Sequence, residues 1–151
     1  MSIDIAGVVA ALRGNPLFAR IDDKRLRIIA LTGEVLTFRD GEALFRRGDE
    51  GDAAYVILEG AALAQVPTAD GPRTVARLGP GELFGEIAAL CDMPRTTAIM
   101  AEGRLSVLSL DRADLRSLLS EFPDLALETI RMLAQRLERT NIALAEARRG
   151  G

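Results

Sequence analysis

Ala54-Tyr55-Val56-Ile57-Leu58, Glu59-Gly60 and Ala61-Ala62-Leu63-Ala64-Gln65-Val66 form the stretch whose reading decides the fold. Two short apolar runs meet at a glycine, and the same rhythm repeats on both sides: Val35 to Phe38, Thr74 to Leu78, Thr97 to Met100 and Leu105 to Leu110 are further short runs. Gly41, Gly48, Gly51, Gly60, Gly71, Gly79 and Gly81 punctuate them. Many short strands at such spacing, bounded by residues that tolerate positive φ, predict an antiparallel β jelly roll or barrel over residues 34–110 rather than alternating βαβ units.

Helical periodicity flanks this β region, which makes the predicted class α+β. Ile5, Val8, Val9 and Leu12 recur at helical spacing in an Ile3–Leu12 segment that Asn15-Pro16 ends. Asp22-Asp23 caps a second helix that carries Leu26, Ile29 and Ala30 on one face, and Gly33 ends it. Residues 1–33 are thus an N-terminal helical segment. Residues 111–147 hold the C-terminal helices: one opens at Asp111, turns Leu115, Leu118 and Leu119 inward and stops at Phe122-Pro123. The last, Asp124 to Ala147, contains no Gly or Pro, and Ile130, Leu133, Leu137, Thr140, Leu144 and Ala147 alternate at 3 and 4 residues. That seam suits homodimerisation through a coiled coil, or docking on the parent domain. Arg148 to Gly151 reads as a loose tail.

Composition narrows the function. A chain of 151 residues, 48% apolar and 27% charged, is globular and fits one domain. A net charge of −3 argues against nucleic acid as the main partner, and no apolar run is long enough for a membrane span, so a cytoplasmic protein is expected. A single cysteine, Cys91, makes no intrachain disulfide and is expected as a small buried apolar residue; without histidine, metal sites and Ser–His–Asp catalysis are disfavoured.

The chemistry concentrates in Leu83-Phe84-Gly85-Glu86-Ile87-Ala88-Ala89-Leu90 and Pro94-Arg95-Thr96-Thr97-Ala98. A short helix starting near Gly85 offers unpartnered backbone N–H groups to an anion. The planar fork of Arg95 fits two phosphate oxygens, Thr96 and Thr97 add hydroxyls, and Glu86 can only accept, which suits a sugar hydroxyl. The other reading of the same spacing is an Arg95–Glu86 ion pair that closes a loop beneath the helix. The paired carboxylates Glu82 and Glu86 lack an acid–base partner, so no catalytic residue and no enzyme is expected.

These residues resemble the phosphate-binding cassette of the cyclic-nucleotide-binding domain family. Gly41-Glu42-Ala43-Leu44-Phe45-Arg46-Arg47-Gly48-Asp49, Asp52 to Gly60 and Asn15-Pro16-Leu17-Phe18 are similar to the family's other signatures, so the likeness runs from Asn15 to Leu144. The resemblance implies a cassette at 84–98, with Glu86 accepting the ribose 2′-hydroxyl, Arg95 pairing with the cyclic phosphate, and Leu83, Phe84, Gly85, Ile87, Ala88, Thr96 and Thr97 around the ligand. Arg136-Leu137-Glu138-Arg139-Thr140-Asn141 is similar to the long helix of the catabolite activator protein branch, which implies that Thr140 and Asn141 face the base and favours cAMP, with cGMP as the other candidate. No cofactor or metal is implied.

Two features depart from the pattern. Thr97 stands where many members have alanine, and Asp92 brings negative charge toward the phosphate. Members that are transcription factors continue into a helix-turn-helix, whereas this sequence ends at Gly151, so a module without a DNA reader, kinase or pore is expected. The implied role is a cyclic-nucleotide sensor that signals through movement of its C-terminal helix to an effector the sequence does not identify. The competing role is a dimerisation or protein-interaction module that needs no nucleotide.

Overall fold

Residues 53–58 alternate between two apolar environments. Ala54, Val56 and Leu58 pack into a cluster with Leu12, Leu26, Ile29, Leu115 and Leu118, while Ala53, Tyr55 and Ile57 pack into a second cluster with Phe45, Phe84, Ile99, Leu105 and Val107. A period of 2 with both faces covered is why the run reads as continuous apolar sequence. Each fully buried Leu, Ile or Val in these clusters contributes about 1.5–3 kcal/mol.

The computed structural model describes residues 4–150. Helices α1 (Ile5–Arg13) and α2 (Asp23–Thr32) precede strands β1 (Glu34–Phe38), β2 (Ala43–Phe45), β3 (Ala53–Thr68), β4 (Gly71–Leu78) and β5 (Leu83–Phe84). A short helix α3 (Glu86–Cys91), strand β6 (Ala98–Asp111), and helices α4 (Arg112–Glu121) and α5 (Pro123–Gly150) follow. All strand pairs are antiparallel, in the order β1-β6-β3-β4, with β2 added on β6 and β5 on β3. The architecture is the expected α+β jelly roll with flanking helices and a long C-terminal helix; the sheet does not close into a barrel.

Helix starts follow the sequence closely. Asp22 and Asp111 cap α2 and α4 by accepting from the backbone N–H of Arg25 and Asp114 at 2.9 and 2.8 Å. Gly33 ends α2 in extended rather than left-handed geometry; a Cβ there would lie 2.7 Å from Leu108 Cδ1. Pro123 takes the first position of α5, where its missing N–H costs nothing. Ile3, at the start of the expected first helix, and Gly151, at the end of the expected tail, lie outside the described residues.

Several expectations need correction. Gly60 does not separate two strands: β3 runs through it with register shifts at Glu59, so the glycine makes a bulge, at φ +91°. Ala98–Met100 and Leu105–Leu110 likewise belong to the single strand β6, with Gly103 at φ +67° inside it and Thr97 just before it. Strand pairing on both sides supplies hydrogen bonds across a glycine that local sequence reads as a break. Arg148 to Gly150 continue α5 instead of forming a tail, because nothing before Gly150 breaks the helix.

At Gly60 an added Cβ would collide with the Arg104 carbonyl oxygen, whereas at Gly103 it would meet nothing within 4 Å. Gly60→Ala is expected to lower stability by about 2–4 kcal/mol and Gly103→Ala by about 1 kcal/mol, as backbone strain joins overlap only at the first. Urea denaturation of the two variants measures the difference.

Candidate functional site

The turn between β4 and β5 sets up the site. Gly81, at φ +84°, donates its N–H to Ile57 O at 2.7 Å, and Ile57 donates back to Glu82 O at 3.0 Å. This seats β5 on β3 with Tyr55 opposite Phe84. Gly85, at φ +79°, then turns the chain into α3, whose Glu86, Ala88 and Ala89 point inward. The loop preceding β3 passes directly beneath: a Cβ on Gly51 would collide with Ala88 and lie 2.8 Å from Met93 O.

Arg95 is the polar centre of this region. Its side chain is 2% exposed. Nη1 donates to Gly85 O at 2.7 Å and Nη2 to Ala53 O at 2.6 Å, while Nε is buried without a partner. The guanidinium carbon stands 4.0 Å from the Phe45 ring centroid and 5.8 Å from that of Tyr55, and Tyr55 stacks on Phe84 at 5.3 Å. Burial pulls the Arg95 pKa below its ordinary value, against the opposing pull of Tyr55, Asp52, Glu86 and Asp49. The same burial raises the Tyr55 phenol. The close neighbour that makes a glycine necessary at 85 is Arg95 itself, whose Nη1 would lie 2.7 Å from a Cβ.

Glu86, 2% exposed, does not pair with Arg95. Its Oε1 instead accepts from Arg136 Nη1 at 2.7 Å, which ties α3 to α5. The ion pair that would close the loop from within the cassette is therefore replaced by one across 50 residues.

Around these groups lies a cavity of about 670 Å³, inside the ~300–1,000 Å³ range of small-molecule sites. Leu83, Phe84, Gly85, Glu86, Ile87, Ala88, Arg95, Thr96, Thr97 and Thr140 all line it, so the geometry brings together ten of the eleven residues singled out in the sequence. Asn141 does not; one step along α5 from Thr140, it turns about 100° away and is exposed. Phe45, Ile99, Arg136 and Arg139 also line the cavity and were not anticipated. The signal for Arg136 was its place four residues before Thr140, on the same helix face. Asp92 does not line the cavity, and Arg112 neutralises it at 2.8 Å. Cys91, expected buried, is exposed, because α3 is too short to cover it.

Arg136→Met leaves the Glu86 carboxylate buried and unpaired, and a loss of about 1–3 kcal/mol is expected in urea denaturation. Adding Glu86→Gln to that variant should recover most of it, since the charge is then gone.

Comparison with known proteins agrees with the geometry. The family model described as cyclic nucleotide-binding domain matches residues 35–122. The CRP-like cAMP-activated global transcriptional regulator of Mycobacterium tuberculosis is 33% identical over 122 residues, covering 79% of this chain and 54% of that protein. The crystal structure of Thermus thermophilus catabolite activator protein superposes with a TM-score of 0.81 at 30% identity, over 86% of this chain and 62% of that one. The N-terminal domain of a transcriptional regulator from Streptomyces coelicolor A3(2) superposes with a TM-score of 0.73 at 36% identity, over 88% of this chain and 96% of that one. The chain spans about half the length of the Mycobacterium regulator. With its cassette residues gathered on one cavity and more than half of its length matched by the family model, the chain belongs to the cyclic nucleotide-binding domain family.

Proposed function

We propose that this chain is a regulatory module that binds a cyclic nucleotide in the cavity lined by residues 83–88 and 95–97, and that cAMP is preferred over cGMP. The observation that carries the reading is that a buried carboxylate and a buried guanidinium line one cavity without neutralising each other. Glu86 uses Oε1 for Arg136, which leaves Oε2 to accept the ribose 2′-hydroxyl. Arg95 faces the cyclic phosphate, with its Nε–H unclaimed by the protein. Thr96 and Thr97 supply hydroxyl donors, the amides of Gly85 to Ala88 assist, and Leu83, Phe84 and Ile87 form apolar walls. No step of catalysis follows from this set, which makes it a binding site and not an active site.

The preference for cAMP rests on Thr140. Its hydroxyl donates to Arg136 O at 3.0 Å, so toward a base it can only accept. An adenine amino group offers a donor there; the guanine oxygen at the same position does not. The name of the Mycobacterium relative, a cAMP-activated regulator, points the same way. Occupancy is passed on through α5, which contributes Arg136, Arg139 and Thr140 to the same cavity. The fold at 34–110, its N-terminal helices and residues 111–147 act as one domain in this scheme.

A second reading, a dimerisation module independent of nucleotide, is favoured by one observation: Ile130, Leu137 and Leu144 on α5 are 62, 61 and 54% exposed. Pairing with a second copy along this stripe would cover them and Asn141, and it is compatible with the first reading. Sedimentation with and without cAMP separates the two: a ligand-independent dimer that takes up no nucleotide supports the second alone.

Calorimetric titration tests the first. Wild-type protein is expected to bind cAMP more tightly than cGMP, and Arg95→Ala to lose affinity by about 10- to 150-fold, the worth of a charge-assisted hydrogen bond. Absence of heat with both nucleotides at millimolar concentration would exclude the reading.

A further inference from the structure

The loop of residues 49–53, whose Ala53 carbonyl holds Arg95, is gripped from two sides. On the cassette side, Arg95 N–H donates to Asp49 O at 2.8 Å, Gly48 N–H donates to Arg95 O at 2.9 Å, and Arg95 Nη2 donates to Ala53 O at 2.6 Å. On the other side stands Arg112, the first residue of α4. Its backbone N–H donates to Asp52 O at 2.8 Å and its Nη2 to Gly51 O at 2.7 Å. Its Nη1 meets Asp92 Oδ1 at 2.8 Å, and its Nε is buried without a partner. Asp92 caps the C-terminal end of α3 at φ +55°, the single non-glycine residue at positive φ among the described residues. Three residues later the chain reaches Arg95.

We propose that Arg112 is a positioning residue for the phosphate end of the site. It holds the carbonyl loop with one nitrogen and the C-terminal end of α3 with another, so that the Ala53 carbonyl at the end of that loop and the Gly85 carbonyl at the start of α3 keep the spacing the Arg95 guanidinium spans. A planar fork can serve a carbonyl and a carboxylate at once; a lysine ammonium on a flexible stem holds one of them well. Because Arg112 opens α4, and α4 leads directly into α5, the same side chain joins the phosphate end of the cavity to the helices that bear Arg136 and Thr140. The assignment rests on the cavity being a nucleotide site.

The test combines cAMP titration with amide hydrogen exchange on the full chain. In Arg112→Ala, cAMP affinity is expected to fall by roughly 5- to 30-fold at temperatures well below the melting transition. Exchange at 49–53 and 92–95 should quicken while α1 and α2 stay protected, and Arg112→Lys should fall between the two proteins. Asp92→Ala, which removes only the exposed partner of Nη1, gives a smaller loss in the same direction and serves if Arg112→Ala does not fold. Affinity and local exchange within twofold of wild type in both alanine variants would overturn the proposal, as would a lowered melting temperature with affinity unchanged. If the wild-type chain binds no nucleotide, the nucleotide reading falls by itself. Local exchange then decides the role of Arg112: faster at 49–53 and 92–95 upholds the loop-positioning, unchanged overturns it.

Discussion

A guanidinium removed from water must be surrounded by oxygens, and much of this architecture meets that demand for Arg95. The carbonyls of Ala53 and Gly85 come from the start of β3 and the end of β5, which are adjacent only because Tyr55 and Phe84 pair across the two strands. The faces of Phe45 and Tyr55 supply the remaining shell. Desolvation of such a group is costly, and a partial hydrogen-bond shell is what makes it tolerable without a carboxylate in contact. Asp52, the nearest, stands 3.9 Å away and is largely exposed. On the proposed reading, a charge held this way is what an incoming cyclic phosphate meets.

The sheet divides the protein's apolar surface between two tasks. One face of β3 and β6 carries the helices, through Val56, Leu108 and Leu110 against Leu12, Leu26 and Leu118; the other lines the roll interior, where Phe45, Phe84 and Ile99 also wall the cavity. Helix α5 crosses from the first region to the second. Leu125 and Thr129 near its start are buried, and Arg136 further along reaches Glu86. Arg139 and Thr140 still wall the cavity, while Ile130, Leu137 and Leu144 along the same helix stay uncovered.

The β core and the helix caps at Asp22 and Asp111 were legible from local pattern, because turn glycines and N-cap carboxylates act within a few positions; nine cavity residues between 83 and 97 followed from the cassette motif and its family resemblance, and Thr140 from the resemblance alone. What escaped was set at long range. Gly60 looks like a turn until its opposite strand is known to run past Arg104. The partner of Glu86 lies 50 residues away, and nothing near Glu86 points to Arg136. Asp92 reads as an unfavourable charge beside a phosphate until Arg112 is placed against it, and Asn141 reads as a neighbour of Thr140 until helical geometry turns it outward.

The aromatic stack over Arg95 has one more consequence. The chain contains no tryptophan and a single tyrosine, so the emission excited at wavelengths that its five phenylalanines do not absorb comes from Tyr55 alone. That ring is stacked on Phe84 and stands 5.8 Å from the Arg95 guanidinium, with its phenol shifted upward by burial. Its emission is therefore a local optical readout of the charged end of the cavity, with no competing signal from the rest of the molecule and no need for a label.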